Sequence, residues 1–262
     1  MLERFTGKTA LITGGSSGIG RAAALMLAVD GADVIITGRD ESRLKETLVL
    51  IEERGRSADY YICDLSSPDN IDEVVHEILE KADGIDFLVN CAGTPLLKKF
   101  SETTPQEWNY VFGVNCTSVF LLSRFIVRDM IEKKVPGKIV SVASTVGKSP
   151  QAYASAYSVS KAALIALTRS LSRELASYGI TVNAVCPGAV NTPMLNSYTI
   201  PELAKFFKSS EEDVLKRIRG GNPLKKIAEP AEIAELIGFL LSPSADDITG
   251  QAINMDGGVE YF

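Results

Sequence analysis

The chain reads as one α/β domain, a doubly wound parallel sheet with helices on both faces. Three observations predict this. Strand-like runs alternate with helical patterns along nearly the whole length; the strands are apolar throughout rather than at every second residue; and the first of them ends in a glycine-rich turn that opens a helix. Parallel neighbours need a crossover between them, and strands covered on both faces need no polar side, so the alternation and the composition agree.

In chain order, "TALIT" is followed by a helix opening near Gly18, "DVIIT" by one near Glu41, "ADYYIC" by one near Pro68, and "IDFLVN" by one near Pro105. "KIVSVA" precedes a helix opening near Ala152, and "ITVNAVC" follows it. Residues 193–229 carry no strand signal. There "TIPELAKFF" places Pro201 near a helix start, and "SSEEDVLKRIRGG" spaces Ser210 and Asp213 as a capping box with glycines at the end. A long insertion late in an α/β domain suits a cover over a substrate. The helix "EPAEIAELIGFLLS" and the strand "GQAINMDGG" complete a single domain over 1–262, with its lid at about 193–229.

Bulk composition removes several function classes. At 262 residues, 45% hydrophobic, the chain can bury a large core, and a net charge of −6 gives no general attraction for nucleic acid or anionic membrane. Cys63, Cys91, Cys116 and Cys186 form no C-x-x-C pair and sit in apolar runs, as buried thiols of a reducing compartment do. His76 is the one histidine, in a polar helical pattern, so a Ser-His-Asp hydrolase or a histidine metal site has little to work with. No metal site is expected. The N-terminus has no basic segment before a long apolar core, and uninterrupted apolar stretches fall well short of a membrane span, so a cytoplasmic protein is expected.

Two constellations carry chemistry. Gly14, Gly18 and Gly20 after the first strand let the backbone turn sharply and approach a pyrophosphate, while the next helix presents unpaired N–H groups. At the end of the second strand Gly38 stands where an acidic residue would hold the ribose 2′-hydroxyl of NAD, and Arg39 follows it, which suits the 2′-phosphate of NADP; the alternative is that Asp40 does the acidic work. Farther on, "YSVSK" puts Tyr157 and Lys161 one helical turn apart. A phenol near pKa 10 is a poor base at neutral pH, and bringing it to about 7 takes roughly 4 kcal/mol of differential stabilisation, for which a neighbouring ammonium is a source.

With "TGGSSGIG", Asp64, "NCAG" at Asn90 to Gly93, Asn115 in "VNCTSVF", Ser144 in "SVAST", "YSVSK" and "PGAVNT" in this order, the sequence resembles the short-chain dehydrogenase/reductases over nearly its whole length. Cys91 departs from the family's usual second asparagine. The resemblance implies a Rossmann-type sheet of about seven strands, a dimer or tetramer, and an enzyme that interconverts ketones and secondary alcohols with NADP, NAD being the lesser alternative. It implies Tyr157 as acid/base, Lys161 on the nicotinamide ribose and lowering the tyrosine pKa, Ser144 on the substrate oxygen and Asn115 holding a relay water. It assigns cofactor contacts to Gly14, Ser16, Ser17, Gly18, Ile19, Gly20, Arg39, Asp64, Leu65, Asn90, Ala92, Gly93, Tyr157, Lys161, Pro187, Gly188, Val190 and Thr192. The helices at roughly 105–134 and 152–178 would pair between subunits, and Tyr261-Phe262 would be buried there.

The substrate is the open point. A β-ketoacyl carrier-protein reductase, a polyol or sugar dehydrogenase, a reductase of apolar ketones and a catalytically silent NADP sensor all fit the scaffold. Retention of Ser144, Tyr157 and Lys161 together favours an enzyme. Val135 and Tyr178 stand where carrier-linked reductases need basic residues, although Lys133, Lys134 and Arg173 are near, and the lid carries Leu195, Tyr198, Ile200, Leu203, Phe206, Phe207, Val214, Leu215 and Ile218. A small or medium apolar ketone is therefore the expected substrate.

Overall fold

A computed structural model of the protein describes residues 3–261. Seven strands, β1 (Thr9–Thr13), β2 (Asp33–Gly38), β3 (Ala58–Ile62), β4 (Phe87–Asn90), β5 (Lys138–Val142), β6 (Thr181–Pro187) and β7 (Ala252–Met255), form one sheet in the order β3-β2-β1-β4-β5-β6-β7. Every pairing is parallel. The strand order reverses between β1 and β4, so the loops leaving those two strands splay to opposite faces and open a crevice at their carboxyl ends.

The period of 2 in the strands builds two cores. Ala10, Ile12, Val34, Ile36, Phe87 and Val89 face helices α1 (Gly18–Val29), α2 (Glu41–Glu52) and α9 (Pro230–Leu241). Leu11, Ile35 and Leu88 face α3 (Pro68–Lys81), α5 (Ser118–Lys133) and the end of α6 (Ser155–Leu175). Helix α4 (Pro105–Phe112) runs into α5 through a π-helical turn, Gly113–Thr117. The resulting run Pro105–Lys133 is long and apolar enough, by length and composition, to cross a membrane. Counting uninterrupted apolar stretches overlooks it because its charges are few and spaced. Its Val119, Leu122, Ile126 and Met130 are buried against the sheet, which is the reason for its composition.

Two boundaries differ from the sequence reading. The helix expected near Ala152 begins at Ser155, because Tyr153 holds a left-handed backbone with φ 65° that no helix contains. In the lid, α7 (Ile200–Phe207) and α8 (Glu211–Gly221) form as expected, but Ser210 and Asp213 make half of a capping box: the Ser210 hydroxyl accepts from the Asp213 N–H and donates to its carboxylate. Ile200, Ala204 and Val214, with Leu195, form a small core belonging to the lid itself. Phe262 lies outside the described residues, and Tyr261 beside it is 85% exposed.

Candidate active site

A cleft of ≈ 1090 Å³ runs across the carboxyl ends of the strands, from the β1–α1 turn to the lid. At its phosphate end the glycines are required by contact. Gly14 has φ 70°, and a Cβ there would lie 2.9 Å from the Ala92 Cα in the loop after β4; a Cβ on Gly20 would lie 2.2 Å from the Gly14 carbonyl oxygen. Helix α1 starts without a side-chain cap on Ser17 and without an acidic residue in its first turn, whereas Asp40, Ser67 and Thr104 cap α2, α3 and α4. Unsatisfied N–H groups at a helix start, approached through glycine, are an anion site. Ser16, Ser17, Gly18, Ile19 and Gly20 line this end. The turn is braced by Arg21, which the sequence reading passed over: it donates to the Ser16 carbonyl at 2.7 Å and to the Thr47 hydroxyl at 3.0 Å.

At the next station the cleft is bordered by Arg39, Asp40, Arg43, Asp64 and Leu65. The Asp40 carboxylate accepts from the Ser42 hydroxyl at 2.7 Å and from the Arg43 N–H, which holds it below the usual carboxylate range and occupies it as the cap of α2. Arg39 is exposed, its guanidinium donating to the Tyr110 hydroxyl at 2.9 Å. Hydrogen bonds from Ser66 hold the Asp64 carboxyl low, with a smaller contribution from the Arg39 charge. Asn90 departs from expectation. It does not line the cleft; it is 1% exposed, its amide reaching the Ser123 and Ser141 hydroxyls at 3.5 and 3.4 Å inside the sheet. Ala92 and Gly93, just past β4, do line it.

The chemical centre joins three elements. Ser144 follows β5, Tyr157 and Lys161 project from the first turns of α6, and all three line the cleft. Gly147 sets their spacing, since a Cβ there would lie 2.7 Å from the Lys161 backbone carbon; only glycine lets the turn after Ser144 pack this closely on α6. Lys161 is 3% exposed, donates to the Val142 carbonyl at 2.7 Å, and lies 5.8 Å from the centre of the Tyr157 ring. Burial pushes Lys161 down to about 8 and Tyr157 up to about 12, a hydrogen bond from Ser144 opposing the latter. In the protein without cofactor, burial is the largest influence on the phenol and the Ser144 hydrogen bond the one that opposes it.

Asn115 sits in the π-helical turn, fully buried and behind the cleft wall. Its Oδ1 accepts from the Thr94 N–H at 2.7 Å, and its Nδ2 donates to the Thr94 carbonyl and the Ser160 hydroxyl, both at 3.0 Å. With both amide donors engaged, the side chain ties the loop after β4 to α6, and a relay water would have to be held elsewhere on the residue. A π turn at such a point is a common device for placing a functional residue.

The far end of the cleft is apolar. Pro95, Leu96, Leu97, Val146 and Ala154 form one wall, and Met194, Leu195, Leu203 and Ile218 of the lid form the other. Pro187, Gly188, Val190 and Thr192 make the floor between them. Of the apolar lid residues expected at the substrate, Val214 and Ile200 pack the lid's own core, while Tyr198 and Phe206 clasp it shut. The Tyr198 hydroxyl accepts from the Leu97 N–H at 3.0 Å, and Phe206 stacks on Tyr153 with ring centres 4.8 Å apart. Gln151, Asn222, Asp256 and Val259 also border this end and carry no sequence motif.

The glycine cradle, the tyrosine-lysine pair and the switch-point crevice together define an oxidoreductase that acts on CH–OH groups with a nicotinamide cofactor. Residues 14–260 match the family model described as Enoyl-(Acyl carrier protein) reductase. The chain is 36% identical over 256 residues to the 3-oxoacyl-acyl-carrier-protein reductase FabG of Thermotoga maritima, covering 98% of this chain and 99% of that one. It is 34% identical to the FabG of Vibrio cholerae, covering 97% of each. A crystal structure of an actinorhodin polyketide ketoreductase variant with NADPH superposes with a TM-score of 0.93 at 36% identity, covering 97% of this chain and 98% of that one. The protein belongs to the short-chain dehydrogenase/reductase family.

Proposed function

We propose that the protein is an NADPH-dependent ketoreductase in which Tyr157 is the proton donor. The observation that carries it is the convergence of Ser144, Tyr157 and Lys161 in one cleft beside the glycine cradle, with a phenol that burial pushes up and so leaves as a proton donor. When bound, the reduced nicotinamide supplies a hydride to the carbonyl carbon. The carbonyl oxygen gains an electron pair and takes the Tyr157 proton, while the Ser144 hydroxyl donates a hydrogen bond to it. Ser144 has no histidine to activate it as a nucleophile. Lys161 is held by the Val142 carbonyl at the base of this pair. Preference for NADPH is supported by Asp40 being engaged as a helix cap beside an exposed Arg39.

The apolar walls favour a ketone with an apolar body. A ketoacyl thioester is favoured separately by the similarity to the 3-oxoacyl-acyl-carrier-protein reductases of Thermotoga maritima and Vibrio cholerae. We place the enzyme in the cytoplasm as a homotetramer or homodimer, a reading supported by the exposed apolar side chains Phe120, Val159 and Tyr178. Sedimentation of a 28.2 kDa species at micromolar concentration would overturn the assembly. The function is tested by following NADPH oxidation with neutral apolar ketones and acyl thioesters. Turnover with any of them supports it; cofactor binding with no turnover across the panel would make the protein a sensor.

A further inference from the structure

We propose that Arg217 on α8 binds an anionic group, a phosphate or carboxylate, carried by the substrate at the end remote from its ketone. This rests on the ketoreductase reading and narrows its substrate class. In α8, Val214 is buried in the lid core, Ile218 is half-buried, and Arg217 and Gly221 are exposed, while Arg217, Ile218 and Gly221 all border the cleft. The Arg217 guanidinium therefore stands at the solvent-facing mouth of the cleft, where the remote end of a long substrate would emerge.

That cation has no acceptor. Among the described residues Arg217 makes no hydrogen bond and no ion pair; its guanidinium lies over the Phe207 ring, 5.5 Å from the centre. Potential partners nearby are engaged. Asp213, one turn earlier, is held by the Ser210 hydroxyl and feels the Arg217 charge as the least of its influences, with no hydrogen bond between them, and Glu212 pairs with Lys216 at 2.9 Å. Asp256, the carboxylate at this end of the cleft, accepts from the Gly258 N–H at 3.0 Å and the Glu260 N–H at 2.8 Å. The other cleft cations serve elsewhere: Arg39 and Arg43 border the opposite end, and Lys161 is buried against Val142. The substrate lobe therefore combines apolar walls with Gln151, Asn222 and the backbone-held Asp256, and the cation it carries is the Arg217 guanidinium at the lid. Stacking on Phe207 restrains the group while leaving its donors unused, and a planar fork of donors matches carboxylate or phosphate oxygens. The substrate that fits is an amphiphile, with an oxo-bearing apolar chain and an anionic end.

Three matched substrates test this with NADPH: a 3-oxoacyl N-acetylcysteamine thioester, which is neutral, the same acyl group on coenzyme A, and a ketone of similar length ending in a carboxylate. Wild type should prefer one or both anionic substrates. Arg217→Met should cut the ratio of anionic to neutral kcat/KM by about tenfold to a hundredfold, through KM, the worth of a charge-assisted hydrogen bond. Arg217→Lys should restore part of it. Loss confined to the coenzyme A thioester identifies phosphate; loss confined to the keto acid identifies carboxylate. An unchanged ratio in Arg217→Met overturns the proposal, while failure of wild type to reduce any of the three overturns the ketoreductase reading itself. Should the variant not fold, the ionic-strength dependence of wild-type KM decides: it should rise with salt for anionic substrates and stay flat for the neutral one, and equal behaviour would refute the role.

Discussion

The two ends of the cleft are built by different means. At the phosphate end the work is done by backbone: glycines at contact distance, an uncapped helix start and strand termini fixed by the sheet. At the substrate end it is done by side chains on a lid with a four-residue buried core of its own, clasped by one hydrogen bond and one aromatic stack. Backbone recognition tolerates few sequences, so it leaves motifs; side-chain walls tolerate many, so they leave only composition. The first end sets what every enzyme of this architecture shares, and the second sets what distinguishes them.

The chemical step lies between the ends, and the largest effect is expected there. Tyr157→Phe should lower kcat by about 10²- to 10⁴-fold while NADPH titration shows binding largely intact; near-normal turnover would remove the tyrosine from the mechanism. Lys161→Ala should damage both. The same variant reports the ionisation. Because burial disfavours the phenolate, the stability Tyr157 contributes is fully present below its ordinary pKa of 10.0 and is lost as pH rises toward about 12. The difference tyrosinate spectrum of cofactor-free wild type minus Tyr157→Phe should therefore be silent near pH 7. A transition there would show that Lys161 alone suffices to lower the phenol.

Next comes the rigid end. Gly20→Ala puts a methyl group 2.2 Å from a backbone oxygen that cannot yield, so the β1–α1 turn must open. A loss of about 1–3 kcal/mol of stability is expected, with NADPH affinity falling alongside, measured by thermal melts with and without cofactor. Wild-type affinity in this variant would break the contrast between the ends. Arg39→Ala should erase most of the NADPH-over-NADH preference, about 1.5–3 kcal/mol in kcat/KM. A variant that keeps the wild-type ratio, or a wild type that favours NADH, would move the ribose specificity elsewhere.

The smallest effect is expected at the lid clasp. A double-mutant cycle of Tyr153→Ala and Phe206→Ala should give a coupling of about 0.5–1.5 kcal/mol in KM for an apolar ketone, with cofactor affinity little moved. Strict additivity would mean that the stacked rings do not hold the lid.

Much of the architecture was readable from the sequence, because inner strands buried on both faces must be apolar throughout and parallel neighbours must be joined by helices, while the edge strands β3 and β7 are only partly buried. Tyr157, Lys161, Ser144 and the Gly14–Gly20 turn were readable for the same reason, as each needs a particular residue at a particular spacing. Asn90 shows that a motif position says that a residue matters and not which way its side chain faces; here that side chain lies inside the sheet. A lysine at i+4 of Tyr157 is visible in a sequence, whereas the burial that pushes the phenol up is not. Arg217 and Asn222 were invisible because they reach the cleft only through how α8 and the turn after it fold back, and Gln151 because it sits in the loop before α6, which no local pattern encodes.

The lid leaves and rejoins the domain at a single rung. Val190 and Ala228 bridge in parallel, with Asn191 N–H donating to the Ala228 carbonyl at 2.8 Å and Ala228 N–H to the Ala189 carbonyl at 3.1 Å. Both ends of the insertion are therefore held side by side however its helices pack, and the length of chain between them is almost free to vary, since lengthening a closed loop costs only about 0.6 kcal/mol per doubling. The segment is a cassette: a different lid spliced between Thr192 and Ala228 would keep the glycine turn, the tyrosine and the lysine, and would bring with it a new choice of what is reduced.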